Sequence, residues 1–339
     1  MKMRTLGSTG TIVSSVALGT MTFGAESDEA ASHAMLDAFA TAGGTLIDAA
    51  DVYSAGVSEQ IIGRWLAANP ETAERMVIAT KGRFPMGADV NDLGTSRRHL
   101  RRALDDSRHR LGLDHIDLYQ LHAWDPITPL DETLRFLDDA IRSGAVSYWG
   151  VSNFTGWQLT KAVHRAAALG MPAPVTLQPQ YNLLAREIEF EIVPAALDVG
   201  VGLLPWGPLG GGWLTGKYQR GEVPTGATRL GENPGRGMEA VDRRGTDERT
   251  WRVLDALNDV AAAHEVPPAR AALAWLQSRP GMTSVILGAR TVAQLEDNLA
   301  AGDLALTAEQ VADLDAASAP VIPDYPYGEL GVEQRSRSL

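Results

Sequence analysis

The chain has 339 residues, of which 45% are hydrophobic, and its formal net charge is −12. This length and composition are sufficient for a large core, and one barrel domain is as compatible with them as two smaller domains. The acidic balance argues against binding to nucleic acid or to an anionic membrane surface as the main role. Because the chain contains no cysteine, disulfides, thiolate metal sites and cysteine nucleophiles are excluded.

The first residues of the chain, 1–5, are not followed by an apolar run, and they therefore predict no signal peptide. No uninterrupted apolar stretch approaches the roughly 18 residues of a membrane span. We therefore expect a cytoplasmic protein that binds neither membrane nor nucleic acid. Association into a homo-oligomer is compatible with this composition.

Short apolar runs alternate with helical patterns through most of the chain. Segments 3–6 and 11–13 flank Gly7-Ser8-Thr9-Gly10 and predict an N-terminal β-hairpin. Later strands are predicted to begin near residues 16, 46, 76, 116, 146, 174, 202 and 284. Helices are predicted over 29–42, 58–68, 95–111, 131–143, 155–169, 186–199, 247–264, 267–278, 291–301 and 307–317.

The spacing of these strands is typical of repeated strand–helix units. Most consecutive strand starts are roughly 30 residues apart, and eight such units predict a (β/α)8 TIM barrel with extra helices. The runs are apolar without alternation, as expected for buried parallel strands. We therefore predict an α/β fold with a single domain over 1–339; a doubly wound sheet is the alternative that spacing alone leaves open.

Two segments do not fit the repeat. Residues 219–246 are rich in Gly, Arg and Glu and predict a mobile loop after the seventh strand. The C-terminal tail, 320–339, contains prolines that prevent a continuous helix. The tail is expected either to cover the barrel mouth or to be disordered.

Titratable side chains end several of the apolar runs. Asp48, Lys81 and His122 follow three successive strands, and Tyr53 lies in the loop after the first of them. Because the carboxyl ends of barrel strands converge on one mouth, these side chains are expected to meet. A buried Lys81 needs a counter-charge, which Asp48 can supply. Taken singly, each of these residues also suits an ordinary structural role.

The chemistry of this group indicates proton transfer. A cation beside a phenol favours the phenolate, so Lys81 is predicted to lower the pKa of Tyr53 and to prepare it for donating a proton near neutral pH. His122 is predicted to orient a substrate oxygen through a hydrogen bond. No metal is expected.

Several motifs resemble those of the aldo-keto reductases. Asp48-Ala49-Ala50-Asp51-Val52-Tyr53 is similar to the family's Asp-x-Ala-x-x-Tyr motif, and Gly150-Val151-Ser152-Asn153-Phe154 to its Gly-x-Ser-Asn-Phe element. Further similar elements are Ser58-Glu59 with Gly63, Thr80-Lys81, and Leu121-His122 with Asp125-Pro126. Leu183-Leu184-Ala185-Arg186 and Leu214-Thr215-Gly216-Lys217-Tyr218 resemble the branch that contains potassium-channel β subunits and bacterial keto-sugar reductases.

The resemblance implies an NADP(H)-dependent oxidoreductase that reduces an aldehyde or ketone to the alcohol by hydride transfer. Tyr53 would be the general acid, Asp48 and Lys81 its tuning pair, and His122 the orienting group. The implied cofactor contacts are Gly19, Thr20, Met21, Ser152, Asn153, Gln178, Trp206, Gly207, Pro208, Leu209, Gly211, Lys217, Gly288, Arg290, Gln294, Asp297 and Asn298. The substrate pocket is expected to be lined by Phe23, Phe84 and Trp124.

Some choices stay open at this level. Arg290 favours NADP(H), because a guanidinium pairs well with a phosphate, whereas many relatives carry a basic residue where Gln294 stands. A regulatory NADP(H)-binding module that modulates a partner is the main alternative function. A lyase with Lys81 as a Schiff-base nucleophile is another, although Asp48 would keep Lys81 charged. The small-molecule carbonyl substrate could be a simple aldehyde, a dicarbonyl, a keto sugar or a larger ketone.

Overall fold

Parallel strands form the centre of the molecule in the computed structural model, which describes residues 1–226, 228–235 and 237–328. Within those residues the parallel sheet contains eight strands: β3 (Val16–Gly19), β4 (Leu46–Asp48), β5 (Val77–Gly82), β6 (Ile116–Leu121), β7 (Val146–Ser152), β8 (Thr176–Gln178), β9 (Gly202–Leu203) and β10 (Val285–Gly288). Neighbours in the sheet follow the order of the chain, and β10 pairs with β3. The N–H of Ile286 donates to the carbonyl of Pro205 over 3.0 Å and connects β10 to the end of β9. The predicted (β/α)8 barrel is confirmed.

The helices lie mainly between these strands, as the strand–helix repeat requires. Among the described residues they are α1 (Glu29–Thr41), α2 (Val57–Ala68), α3 (Pro70–Ala73), α4 (Arg97–Leu111), α5 (Leu130–Arg142), α6 (Gly156–Ala168), α7 (Ile192–Asp198), α8 (Arg229–Glu232), α9 (Val241–Arg244), α10 (Glu248–Ala263), α11 (Pro268–Gln277), α12 (Val292–Leu299) and α13 (Ala308–Ser318). None of these helices is both long and apolar enough to cross a membrane.

One predicted helix is interrupted. The sequence pattern indicated a continuous helix over 186–199, but the structure has a 3₁₀ turn at Glu187–Glu189 followed by α7. Pro194 lies in the first turn of α7, where its missing N–H is not needed for an intrahelical hydrogen bond. A helix running through from residue 186 would place this proline in its interior, and the chain therefore starts a new helix at Ile192.

The amino-terminal hairpin closes one end of the barrel. β1 (Met3–Thr5) and β2 (Ile12–Ser14) pair in antiparallel register, which confirms the predicted hairpin. Leu6 and Val13 from this hairpin are fully buried in one cluster with inward-facing strand residues such as Leu118. Arg4 donates to the carbonyls of Met282 and Gln277, each over 2.8 Å. This end is therefore filled with side chains, and the opposite, carboxyl end is the one that can hold a site.

The segment 219–246 contains regular structure in place of a simple loop. It includes α8, a 3₁₀ turn at Gly237–Glu239 and α9. The carboxylate of Glu239 accepts a hydrogen bond from Gln180 over 2.7 Å and pairs with Arg244 at 3.1 Å, and its backbone carbonyl accepts from Trp213 over 2.9 Å. The contacts with Gln180 and Trp213 attach the segment to the barrel, whereas the pair with Arg244 lies within the segment, and the mobility of the segment stays a prediction. Residues 227 and 236 lie outside the described part of the chain.

The predicted tail begins directly after α13. The ring of Tyr327 stacks on Phe190, with centroids 5.5 Å apart and an angle of 14° between the planes. Arg249 binds the end of α13, just before the tail, through the carbonyl of Ser318 at 2.6 Å. Residues 329–339, which complete the predicted tail, lie outside the described residues.

Candidate active site

Lys81 lies at the centre of a cluster at the carboxyl end of the barrel. Its Nζ donates to Asp48 Oδ2 over 2.7 Å, to the carbonyl of Ala49 over 2.8 Å and to the hydroxyl of Tyr53 over 3.1 Å. The exposed fraction is 0% for Lys81 and 2% for Asp48. An ammonium has three hydrogens to donate, and each has a partner here. The structure thus brings together the lysine, the aspartate and the tyrosine that the sequence singled out.

The local sequence explains how these side chains meet. Alternation along β5 turns Ala79 and Lys81 toward the barrel axis and Thr80 toward the helices. Beyond β4 the chain forms a 3₁₀ turn, Tyr53–Gly56, in which Ser54 (φ 49°) and Ala55 (φ 52°) have left-handed backbones. A residue other than glycine in this conformation costs about 1 kcal/mol or more of folding free energy. The N–H of Tyr53 donates to the carbonyl of Ala50 over 3.1 Å, and this preceding turn directs Tyr53 back toward Lys81.

The ionisation of Tyr53 differs from the sequence expectation. Burial raises the pKa of Tyr53, the charge of Lys81 lowers it and the charge of Asp48 raises it, so the net pKa is above its ordinary value. The prediction that Lys81 leaves this phenol with a lowered pKa is therefore wrong, because burial has the larger effect. Tyr53 is accordingly a protonated hydroxyl at neutral pH, as a proton donor must be.

Lys81 keeps its charge in the same environment. Burial lowers its pKa, but the charge of Asp48 and then the interaction with Tyr53 raise it, and the net pKa lies above the ordinary value for lysine. A Schiff-base nucleophile has to be a neutral amine. The geometry therefore argues against the lyase alternative and in favour of a fixed positive charge beside the phenol.

His122 completes the cluster as a neutral ring. Its ring centroid lies 6.0 Å from that of Tyr53, nearly edge-on at 76°, and 4.5 Å from that of Phe84. Burial, followed by the charges of Lys81 and Arg83, lowers the pKa of His122 to about 2. A neutral imidazole has one N–H that it can donate. His122 can therefore donate a hydrogen bond to a substrate oxygen while its ring stays neutral.

Two glutamines hold the other oxygen of Asp48. Oδ1 of Asp48 accepts from Gln178 Nε2 over 2.9 Å and from Gln120 Nε2 over 3.2 Å. Both glutamines are at most 2% exposed. Gln120 was not predicted from the sequence, although a glutamine two residues before His122 in an apolar strand is a signal that could have identified it. These donors fix the orientation of the carboxylate that serves Lys81.

The neighbouring strand ends bring together several predicted cofactor residues. Ser152 Oγ donates to the carbonyl of Gln178 over 2.9 Å. Asn153 Nδ2 donates to the carbonyl of His122 over 3.0 Å, and Asn153 Oδ1 accepts from Trp206 Nε1 over 3.0 Å. Asn153 adopts a left-handed backbone (φ 56°), which asparagine tolerates better than most residues. This conformation turns its amide toward the mouth beside the tyrosine cluster.

A glycine-rich turn follows Trp206. Gly207, Gly211 and Gly212 have positive φ values of 64°, 65° and 101°. A Cβ atom on Gly211 would lie 2.9 Å from Glu239 Cβ, and one on Gly212 would lie 2.6 Å from Lys217 Nζ. Side chains are therefore disfavoured at Gly211 and Gly212, and the N–H groups of Gly210 and Gly212 donate within the turn, to the carbonyls of Gly207 and Leu209.

Arg290 is paired with two carboxylates. Its guanidinium binds Glu26 at 2.8 Å and Glu232 at 2.6 Å; the hydrogen bonds to Glu26 and then to Glu232 raise the pKa of Arg290. Gln294 Oε1 accepts from the N–H of Arg290 over 3.0 Å. No sequence signal pointed to the two glutamates, because Glu26 precedes α1 and Glu232 ends α8, both far from residue 290 in the chain. A 2′-phosphate at Arg290 would share or replace these partners.

The remaining predicted residues lie at various depths. Asp297 pairs with Arg270 at 2.6 Å, and Thr20 Oγ1 donates to the carbonyl of Asp48 over 3.0 Å. Phe23 is fully buried in the core and offers no surface to a substrate in this structure. Among the other predicted residues, the buried ones are Gly19, Pro208 and Asn298. Those that are half-buried are Phe84, Trp124 and Leu209, and those that are exposed are Met21, Lys217 and Gly288.

The fold and the site together define an α/β barrel with the cluster of Asp48, Lys81, Tyr53 and His122 at its mouth. The chain matches the model of the Aldo/keto reductase family over residues 15–319, and it belongs to that family. Membership supports an oxidoreductase, in a family that uses nicotinamide cofactors and acts on small carbonyl compounds. The resemblance stated from the motifs is thereby confirmed.

Three relatives illustrate the range of similar proteins. The chain is 37% identical to "Uncharacterized oxidoreductase YrpG" of Bacillus subtilis (strain 168), over 90% of this chain and 92% of that protein. It is 35% identical to "Probable voltage-gated potassium channel subunit beta" of Oryza sativa subsp. japonica, over 93% and 96%. It is 31% identical to "Versiconal hemiacetal acetate reductase" of Aspergillus parasiticus, over 94% and 98%. The predicted likeness to channel β subunits is thus confirmed.

Proposed function

We propose that this protein uses NADP(H) to reduce an aldehyde or ketone to the alcohol, with Tyr53 as the general acid. The observation that carries the proposal is the hydrogen bond of 3.1 Å from Lys81 Nζ to the Tyr53 hydroxyl, together with the 2.7 Å ion pair between Lys81 and the buried Asp48. A proton donor needs a neutral hydroxyl and a means of stabilising the anion left behind. This cluster supplies both.

Each side chain has a separate task in the proposed reaction. The bound cofactor supplies a hydride to the carbonyl carbon. As negative charge develops on the carbonyl oxygen, Tyr53 donates its proton to that oxygen, and Lys81 stabilises the resulting phenolate. Asp48 keeps Lys81 charged and in place. His122 donates a hydrogen bond to the same oxygen and orients the carbonyl.

The residues around the mouth fit a nicotinamide cofactor. Ser152, Asn153 and Gln178 would hold the carboxamide, because hydroxyl and amide groups offer both donors and acceptors. Trp206 is half-buried beside Asn153 and would stack on the nicotinamide ring. The glycine-rich turn after Trp206 would bind the pyrophosphate, and Arg290 the adenosine end.

The proposal is tested by a carbonyl screen. The purified protein is incubated with NADPH and a panel of aldehydes, dicarbonyls, keto sugars and larger ketones, and both loss of reduced cofactor and formation of alcohol are measured. We expect at least one class of carbonyl compound to be reduced, with one molecule of alcohol formed for each molecule of NADPH consumed. Tight NADPH binding without turnover on any class would instead favour a regulatory module, which the 35% identity to the rice channel subunit makes the second candidate.

The paired Arg290 leads to a prediction about cofactor preference. Arg290→Ala is expected to weaken NADPH binding by roughly 10- to 100-fold, the loss expected for a hydrogen bond between charged groups, and to change NADH binding little. Dissociation constants from cofactor fluorescence titrations measure both effects. Arg220→Ala, which removes an exposed arginine that pairs with Glu248, is the control. Equal losses for the two cofactors would contradict an Arg290–phosphate contact.

A further inference from the structure

A buried carboxyl group lies directly behind Lys81 and has no task in the reaction described above. Asp51 is 0% exposed, and neither of its side-chain oxygens has a hydrogen-bond partner among the described residues. Its backbone N–H donates to the carbonyl of Lys81 over 3.1 Å, which fixes Asp51 against β5. Burial of a carboxyl group without partners disfavours the charged form. Whether the carboxyl group of Asp51 is protonated therefore depends on the charged groups around it.

The groups that face Asp51 come from several elements. Glu59 of α2 is fully buried, and its carboxylate accepts from Thr80 over 2.5 Å and from Arg110 of α4 over 2.7 Å. The hydroxyl of Tyr119 on β6 is buried and lacks a partner within the described part of the chain. Glu59 thus has an ion pair and hydrogen bonds, whereas neither side-chain oxygen of Asp51 has a hydrogen-bond partner among the described residues.

These surroundings set the proton affinity of Asp51. Burial, and then repulsion by the charge of Glu59, raise the pKa of Asp51 to about 7, although the nearby backbone N–H of Val52 and then the charges of Arg110 and Lys81 oppose the shift. Tyr119 also interacts with Asp51, Glu59, Arg110 and the more distant Asp105 of α4. Asp51 therefore gains or loses its proton near neutral pH, within the pH range of an ordinary enzyme assay.

Asp51 is coupled to the proton donor. The charges of Asp48 and of Asp51 both raise the pKa of Tyr53, in addition to the larger effect of burial. Only Val52 separates Asp51 from Tyr53 in the chain, and the intervening turn is held by the hydrogen bond of 3.1 Å from Tyr53 N–H to the carbonyl of Ala50. An ionised Asp51 thus makes it harder for Tyr53 to become a phenolate.

We propose that Asp51 is a positioning residue that acts through Lys81 and Tyr53 and adjusts how readily Tyr53 gives up its proton. With Asp51 neutral, Tyr53 donates its proton to the substrate oxygen more readily. With Asp51 ionised, Tyr53 retains the proton and carbonyl reduction slows. The proton lost by Asp51 passes to solvent, and no covalent step is involved. This inference rests on the proposed reductase function.

The first test is the pH dependence of carbonyl reduction. In the wild-type protein, kcat is expected to fall as the pH rises through about 7, the value at which Asp51 loses its proton. Asp51→Asn, which is permanently neutral and of similar size, should lose this inflection and at high pH exceed wild type by up to about tenfold, the effect of one pKa unit. Asp117→Asn is the control, because Asp117 binds the N–H of Ile78 at the other end of the barrel. Identical profiles in wild type and Asp51→Asn would overturn the proposal.

The second test does not depend on turnover. With ¹³C-labelled aspartate carboxyls, the NMR signal of Asp51 is identified as the one that is missing in Asp51→Asn. This signal is expected to titrate near pH 7. Glu59→Gln is expected to lower the pH of this titration, because it removes the repulsion between the two carboxylates. With ¹³C-labelled tyrosine, Asp51→Asn should lower the pH at which Tyr53 ionises. An Asp51 signal that titrates near the ordinary value of about 4 overturns the inference. If no carbonyl is reduced but these shifts are seen, the proposed function fails and the coupling of Asp51 to Tyr53 stands.

Discussion

Tyr53→Phe is expected to lower kcat for carbonyl reduction by about 10²- to 10⁴-fold, the usual contribution of a general acid. The substitution removes only the hydroxyl that receives the hydrogen bond from Lys81, and the ring can keep its edge-on contact with His122. The dissociation constant for the cofactor should stay nearly unchanged, because the residues proposed to bind it come from other strand ends. Steady-state kinetics and cofactor titration separate the two effects.

A second tyrosine provides the control for this variant. Tyr148 is half-buried near the amino-terminal hairpin, and its hydroxyl lies 3.1 Å from Thr11 Oγ1. Tyr148→Phe should leave kcat close to wild type. Near wild-type turnover by Tyr53→Phe would show that the proton comes from another group.

The single variants Lys81→Met and Asp48→Asn are each expected to lose more unfolding free energy than any other variant described above. Both side chains of this ion pair are buried. Removal of one partner leaves the other charge buried without compensation, which costs about 3–5 kcal/mol of unfolding free energy. Either variant should also lose most reductase activity, because Tyr53 then lacks a stabilising charge that is held in place.

The double variant shows whether the two side chains stabilise the protein as a coupled ion pair or independently of each other. Lys81→Met combined with Asp48→Asn should be destabilised by clearly less than the sum of the single variants, since neither charge remains. Denaturant unfolding followed by circular dichroism measures these free energies. Removal of the exposed Arg165–Asp131 pair, with side chains 44% and 41% exposed, should have little effect. Additive losses at Lys81 and Asp48 would contradict the account of the pair.

Much of the architecture could be predicted from the sequence because its signals are local. Buried parallel strands are apolar runs, and each predicted strand start lies within two residues of the observed one, the largest difference being 174 against Thr176. The tyrosine cluster followed from the same pattern, since Asp48 and Lys81 end runs whose carboxyl ends must meet. Pro194 could have shown that α7 starts anew, because proline is tolerated only in the first turn.

Other features depend on contacts between distant parts of the chain. The sign of the pKa shift at Tyr53 depends on how deeply its hydroxyl is buried, and sequence spacing does not report depth. Glu26 and Glu232 meet Arg290 only after the chain has closed the barrel. Asp51 had no evident role in the sequence, and its raised pKa comes from its burial and then from Glu59 on α2.

The central claim is that the barrel mouth transfers a hydride from the cofactor to a carbonyl carbon while Tyr53 supplies the proton. The most direct measurement follows deuterium from reduced cofactor labelled at one or the other C4 position, using mass spectrometry of the alcohol formed. We expect one of the two labelled cofactors to deliver a single deuterium to the carbinol carbon in the wild-type reaction, and Tyr53→Phe to form this product far more slowly. Absence of deuterium from the product with both labelled cofactors, under conditions in which the cofactor is bound, would contradict the account.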